Sequence, residues 1–141
     1  MRKRTKAREC ALQMLYQMDI TSDKPGVSMA AYWQDNPQPQ DIMEFATRLV
    51  EGTLAGQKDI DALLAKYAEN WTIPRMAVVD RNILRMAAYE LLYSPDVPPK
   101  VSINEAVDLA KKFGDAESGK FVNGILDRIL KESKTDDGKK S

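Results

Sequence analysis

The stretch VVDRNILRMAAYELLY, residues 78–93, decides the fold because its apolar residues do not keep to one helical stripe. Apolar side chains recur around most of a helical circumference, which is the pattern of a helix surrounded by other helices. Its charged residues are Asp80, Arg81, Arg85 and Glu90. Each of them needs a partner or a narrow window to solvent, since an unpaired buried charge is costly. The stretch therefore predicts a central helix against which most of the chain packs.

Helical periodicity predicts further helices on both sides of this central one. The predicted segments are residues 5–19, 27–33, 41–55, 60–67, 102–113 and 117–131. Two pairs, Asp41 with Glu44 and Ser102 with Glu105, have the spacing of capping boxes at helix starts. Gly124 lies inside the last segment and predicts a close helix crossing, because an interior glycine is otherwise unfavourable.

Composition limits the classes of protein that the chain can belong to. Its 141 residues hold 21 basic and 21 acidic side chains and are 43% hydrophobic, which fits one domain with a modest core. We expect that domain over residues 1–133, with residues 134–141 as a disordered polar tail. No long apolar run or signal-like start is present, so we expect a cytoplasmic protein without a membrane partner.

The scarcity of reactive residue types argues against an enzyme. The chain has one cysteine, Cys10, and no histidine, so the usual metal sites and the Ser-His and Cys-His catalytic pairs are excluded. We therefore expect no catalytic residue, no metal ligand and no cofactor.

Charge is unevenly distributed along the chain although the formal net charge is zero. Five basic residues precede the first acid, Glu9; they are Arg2, Lys3, Arg4, Lys6 and Arg8. A cationic segment on a mildly acidic body favours a polyanion as partner. Cations are also unfavourable at a helix N-terminus, because the helix dipole is positive there. The negative charge of a ligand phosphate would compensate this repulsion. The alternative, a solvated charged tail, stays open at this point.

Two aromatic residues have open roles. Tyr16 falls on the polar face of the first helix, where it either covers the edge of the core or provides a stacking platform. Phe121 either fills the core stripe of the last helix or, next to Lys120, faces a ligand. Free amide groups at the start of that helix would also suit an anion.

Three blocks of the sequence carry a resemblance to a known family. They are KARECALQMLYQMD at 6–19, DRNILRMAAYELLY at 80–93 and DVPPKVSINEAVDLAKKFGDAESGKFVNGILDRIL at 96–130. In this order they cover 63 of the 141 residues, and they resemble the NusB family of bacterial transcription antitermination factors. The basic segment, RKRTKAR, is less rich in arginine than in many relatives.

The resemblance implies an all-α fold of about seven helices in two small bundles, and a non-catalytic, RNA-binding role. NusB-like proteins pair with the ribosomal protein NusE and hold single-stranded boxA RNA of ribosomal leader transcripts. RNA polymerase, elongating with the other Nus factors, then resists termination. The RNA-binding positions carried over are Arg2, Lys3, Arg4, Lys6, Arg8, Glu117, Lys120 and Phe121. The positions carried over for NusE are Tyr16 and Asp80.

Two other functions remain as alternatives. The chain could be a helical protein-interaction adapter or homodimer whose basic segment is only a tail. It could also be a targeting module related to the domain at the front of certain RNA cytosine methyltransferases, although it has no room for their cofactor domain.

Overall fold

The computed structural model describes the backbone of residues 2–69 and 71–140, and the side chains of residues 2–69 and 71–132. This part of the chain contains seven α-helices, one short 3₁₀ turn at Ile73–Arg75 and no β-strand. The helices are α1 (Lys3–Thr21), α2 (Pro25–Asp35), α3 (Gln40–Ala55), α4 (Gln57–Tyr67), α5 (Val78–Tyr93), α6 (Pro99–Phe113) and α7 (Ser118–Lys140).

Helix α5 is the central helix, with the bounds that its sequence predicts. It packs against α1, α3, α4, α6 and α7. Consecutive residues from Ile83 to Ala88 are buried, so side chains on all sides of the helix contact protein. This burial explains why the apolar residues of α5 follow no single stripe.

The other helices form two bundles that share α5. On one side α1 packs against α2 and α3, and on the other α6 packs against α7, with α4 also contacting α7. Their buried apolar side chains belong to one continuous core. The predicted all-α fold of two small bundles around a central helix is confirmed.

The charged residues of α5 mostly find partners on neighbouring helices, as expected. The Arg81 Nε atom donates to Asp19 of α1 at 2.7 Å, and the Arg85 Nε atom donates to Asp61 of α4 at 2.8 Å. Glu90 pairs with an arginine of α1, described below. Because a buried charge without a partner is strongly destabilising, these ion pairs also fix how the helices are placed around α5.

Neither predicted capping box forms. Helix α3 begins one residue before Asp41, and α6 begins at Pro99, three residues before Ser102. Proline suits the first position of a helix because its φ angle is already helical, so α6 starts early and Ser102 lies inside it. There the Ser102 hydroxyl donates to Glu90 across the core.

The prediction of a close helix crossing at Gly124 is wrong. Apart from the backbone of α7 itself, no atom of the described residues lies within 4 Å of a Cβ placed there, and the residue is exposed. The close approach occurs instead at Gly52 of α3, where a Cβ would overlap the Tyr89 ring of α5. Gly52 therefore permits α3 to pack directly on the central helix.

The C-terminal end is described only in part. The predicted disordered tail, residues 134–141, lies outside the residues whose side chains the structure describes, and both this tail and the domain range 1–133 stay predictions. Among the described helices, none has both the length and the apolar character needed to cross a bilayer.

Candidate nucleic-acid interface

The basic segment is not a loose extension but the first two turns of α1. Arg2 precedes the helix, and Lys3 is its first residue. Arg2, Lys3 and Arg4 are exposed and Lys6 is partly exposed. Since the first turn contains no acidic residue to balance the positive end of the helix dipole, the cations here repel one another and attract anions.

Acidic side chains of the body partly neutralise this segment. The Lys3 Nζ atom lies 2.7 Å from Asp41 at the start of α3, and an Arg4 Nη atom lies 3.5 Å from Asp96 in the loop between α5 and α6. The hydrogen bond from the Lys3 ammonium group lowers the pKa of the exposed Asp41. Such exposed pairs contribute little to stability and exchange readily for other anions.

Arg8 is set apart from the other cations. Its side chain is buried, and it donates from Nε and Nη2 to the two carboxylate oxygens of Glu90 at 2.9 and 2.7 Å. Its Nη1 atom also lies 3.6 Å from Glu105. The structure therefore places Arg8 inside the protein, and its contact with RNA stays a prediction that this geometry does not favour.

The second group of predicted residues surrounds the start of α7. Glu117 and Lys120 are exposed and Phe121 is partly buried. The amides of Glu117 and Ser118 are not free for an anion, because both donate to the Asp115 carboxylate, at 2.9 and 3.1 Å. With these two amides occupied, Lys120 is the cationic side chain that this place offers to an anion.

An exposed tryptophan, missed by the sequence analysis, completes this group. Trp71 is 50% exposed, and its ring meets the Phe121 ring edge to face with centroids 6.3 Å apart. The two rings line a depression of about 450 Å³ together with Asp80 and Lys120. No local sequence pattern marks this tryptophan, because its exposure and its pairing with Phe121 follow only from the fold. Phe121 thus combines partial core packing with a face toward the depression.

Asp80 brings an unsatisfied carboxylate oxygen to the same depression. The residue is 8% exposed, and its Oδ1 atom accepts no hydrogen bond from any residue that the structure describes. Burial raises the pKa of Asp80, and the negative charge of Asp115 adds to this rise. The Ser118 hydroxyl donates to Asp115. A buried acceptor without a donor is a position where a ligand N–H group would be stabilised.

Tyr16 lies in a different place from Asp80. Its exposed ring lines a mostly apolar groove of about 420 Å³ between α1 and the start of α5, with Leu12, Ile20 and Val79. Val79 precedes Asp80 in α5, yet the two residues line separate depressions. The structure thus groups Asp80 with Glu117, Lys120 and Phe121, and leaves Tyr16 and the basic segment as separate surfaces.

The amino-acid sequence matches a described family. The model of the NusB family matches residues 5–131. The transcription antitermination protein NusB of Desulfatibacillum aliphaticivorans is 49% identical over 129 residues, which cover 92% of this chain and 90% of that protein. The NusB protein of Desulfitobacterium hafniense is 45% identical over 135 residues, covering 94% and 91%.

Solved structures share the fold. A crystal form of T. maritima NusB is 38% identical, with a TM-score of 0.84, and the match covers 92% of this chain and 91% of that one. A chain from a crystal structure of the antitermination factors NusB and NusE in complex with double-stranded RNA is 34% identical, with a TM-score of 0.86, covering 94% and 98%.

Proposed function

Because this chain belongs to the NusB family, we propose that it is an RNA-binding transcription antitermination factor that works with the ribosomal protein NusE. In this proposal the pair holds the single-stranded boxA element of ribosomal RNA leader transcripts. RNA polymerase, elongating with the other Nus factors, then resists termination. The protein acts in the cytoplasm by binding alone, without a cofactor or a bond-making step.

The observation that carries the proposal is the depression beside α7. It places the Trp71 and Phe121 rings next to the unpartnered Oδ1 atom of Asp80 and the ammonium group of Lys120. Unstacked RNA bases stack on aromatic side chains and present N–H donors on their edges, while their phosphates attract a lysine. These four side chains supply one group for each of those interactions.

The exposed cations of α1 supply a second contact with the nucleic acid. Arg2, Lys3 and Arg4 stand at the positive end of a helix dipole and are balanced only by exposed acids. RNA phosphates release bound counterions when cations replace them, which makes this contact favourable at low salt. A strand that spans both surfaces gains affinity from the two contacts together.

The groove at Tyr16 is the surface we assign to NusE. The groove has an apolar lining, and its Ile20 side chain is 56% exposed. A protein partner would bury this apolar surface. A cationic ribosomal protein bound there would lengthen the positive surface of a near-neutral chain. We keep Asp80, in the neighbouring depression, as a position close to that partner.

The test is a titration of a labelled boxA-containing oligoribonucleotide, with and without NusE, against a scrambled oligonucleotide. We expect specific binding that NusE strengthens. Replacing Arg4 and Lys6 by alanine should lower the slope of log affinity against log salt by about 1.4, since each phosphate contact to single-stranded RNA contributes about 0.7.

The matched control replaces Lys24 and Lys58, two exposed lysines at the starts of α2 and α4, and should leave the slope unchanged. Equal, negligible binding of both oligonucleotides in the presence of NusE would contradict the proposal and favour the protein-interaction adapter.

A further inference from the structure

Three arginine side chains converge on one ring near the start of α1. The Cζ atoms of Arg4, Arg48 and Arg8 lie 4.5, 4.9 and 5.3 Å from the centroid of the Phe45 ring. Phe45 and Arg48 belong to α3, so this cluster joins the basic segment to a second helix. An arginine over an aromatic face is held in place by the ring quadrupole, which orients its planar group.

The three arginines differ in how firmly their charges are matched. Arg8 is buried and donates two hydrogen bonds to the Glu90 carboxylate. Arg4 and Arg48 share a single acid, Asp96, at 3.5 Å and at 3.3 Å. These distances exceed the roughly 2.7–2.9 Å of a strong hydrogen bond between an arginine and a carboxylate. Two guanidinium groups thus compete for one loosely held anion.

Solvent reaches all three members of this shared contact. The side chains of Arg4, Arg48 and Asp96 are 51%, 43% and 47% exposed. Burial by itself would raise the pKa of Asp96, but Arg48, with a smaller contribution from Arg4, lowers it overall. Since exposed ion pairs contribute little to stability, another anion can replace Asp96 at small cost.

The space beside the cluster is large enough for a phosphate group. A depression of about 590 Å³ is lined by Lys3, Arg4, Phe45 and Arg48, with Asp41 and Glu44 at its α3 side. The planar guanidinium fork matches the oxygens of a phosphate as well as those of a carboxylate. Asp96 does not use this fit, since it lies 3.5 Å from Arg4 and 3.3 Å from Arg48.

We propose that Arg48 is a phosphate-binding residue of the RNA site, and that a backbone phosphate of bound RNA replaces Asp96 between Arg48 and Arg4. This inference rests on the proposed function and extends the RNA-binding surface from α1 onto α3. Asp96 then acts as an internal competitor: it neutralises the arginines in the free protein and repels the strand until it is displaced.

The experiment compares Arg48→Gln, Asp96→Asn and a control, Lys58→Gln, in salt titrations of the boxA-containing oligoribonucleotide with NusE present. Lys58 is an exposed cation of α4. We expect R48Q to bind about fivefold more weakly at about 0.1 M salt and to approach the wild-type affinity near about 1 M, because one contact contributes about 0.7 to the slope. D96N should bind more tightly than the wild type at low salt.

Folding and charge are checked separately. Arg48→Lys keeps the charge but not the planar fork, so it should keep the wild-type salt slope while it loses part of the affinity. Thermal unfolding of R48Q should match that of K58Q.

The outcomes separate this inference from the proposed function. If the wild-type protein binds the oligonucleotide but R48Q behaves as K58Q does, the phosphate contact at Arg48 is overturned while the proposed function stands. Weaker binding by D96N would overturn the replacement of Asp96 by a phosphate. Asp96 would then be positioning the arginines for RNA. A wild-type protein that does not bind at all overturns both.

Discussion

The Arg8 guanidinium and the Glu90 carboxylate meet inside the core through two hydrogen bonds, with side chains 2% and 1% exposed. Ser102 of α6 donates to the same carboxylate at 3.2 Å. This ion pair therefore fastens the start of α1 to α5 and α6. The exposed cations in the first turns of α1 owe their position to it.

Removing one partner of this pair should destabilise the protein strongly. We expect Arg8→Met to lower the free energy of unfolding by about 3–5 kcal/mol, because Glu90 is left as a buried charge without its partner. The double variant Arg8→Met/Glu90→Met should recover much of that loss, since it removes both charges. Urea denaturation of the three proteins measures the difference, and a double variant as unstable as the single one would contradict this account.

The same variant tests whether Arg8 also contacts RNA. At a temperature where R8M is folded, its salt slope for RNA binding should equal that of the wild type, because the buried guanidinium releases no counterion. A slope lower by about 0.7 would instead assign Arg8 a phosphate contact, as the sequence predicts.

Replacing two different glycines by alanine should change the free energy of unfolding in opposite directions. Gly52→Ala should lower the free energy of unfolding by about 1–3 kcal/mol, because the added Cβ overlaps the Tyr89 ring and the side chain must move. Gly124→Ala should raise it by about 0.4–1 kcal/mol, since the site is open and helical. Chemical denaturation measures both, and a destabilised G124A would restore the close crossing that the sequence predicts.

Asp80 and Asp19 should both make the stability of the fold depend on pH. Rising pH should lower the contribution of Asp80 and raise that of Asp19. Burial raises the folded-state pKa of Asp80 above its ordinary value of 3.8, so the folded protein holds this proton more tightly than the unfolded chain. Stability is therefore lost as the pH rises from that value through the folded-state pKa. Asp80→Asn should remove this loss and be more stable than the wild type near neutral pH, with the difference shrinking as the pH falls.

Asp19 is the control for this measurement. Burial alone would raise its pKa, but Arg81, Asn82 and Arg85 outweigh that effect and hold it below 3.8. Its contribution is present above that value and is lost as the pH falls through the folded-state pKa. Asp19→Asn should thus be less stable than the wild type near neutral pH. Urea denaturation between about pH 2 and pH 7 checks both variants, because the Asp19 contribution is lost only below its ordinary pKa of 3.8. Parallel curves for D80N and the wild type would contradict the assignment.

The helices could be predicted from the sequence because hydrophobic periodicity reports burial directly. For α5 the prediction has the observed bounds, since nearly every side of that helix meets protein. Helix starts were less predictable. Ser102 and Glu105 have capping-box spacing, but Pro99 starts the helix earlier, and both side chains then bond to distant partners, which no local pattern reports.

The candidate site was predictable only as a set of residue types. A run of basic residues indicates an affinity for anions. It does not indicate that the Arg8 side chain is buried while the Arg4 side chain is exposed. That division depends on Glu90, which lies 82 residues away in the sequence. Trp71 was missed for the same reason, because its pairing with Phe121 exists only after α7 packs beside the 3₁₀ turn.

Glu117 should weaken RNA binding in the wild-type protein. It is exposed beside Lys120 in the depression, so its charge repels nearby phosphates. Glu117→Gln should bind the boxA-containing oligoribonucleotide more tightly at low salt, with the gain fading as salt screens the repulsion. Glu132→Gln, an exposed acid farther along α7, is the control. Weaker binding by E117Q would show that Glu117 accepts hydrogen bonds from bases.

Trp71 should contribute to RNA binding more than to folding. Its ring is half exposed and meets Phe121 edge to face, leaving an aromatic surface on which a base can stack. Trp71→Ala should weaken RNA binding by about 1–3 kcal/mol, the contribution of one stacked base, with little change in salt slope because no phosphate contact is lost. Tyr93→Ala, which removes a ring 53% exposed at the end of α5, should leave binding unchanged. Fluorescence titration with NusE present measures both variants. Equal affinities for the two would place the bound bases elsewhere, whereas a selective loss with W71A would mean that the depression beside α7 holds RNA by stacking, independently of the cations on α1.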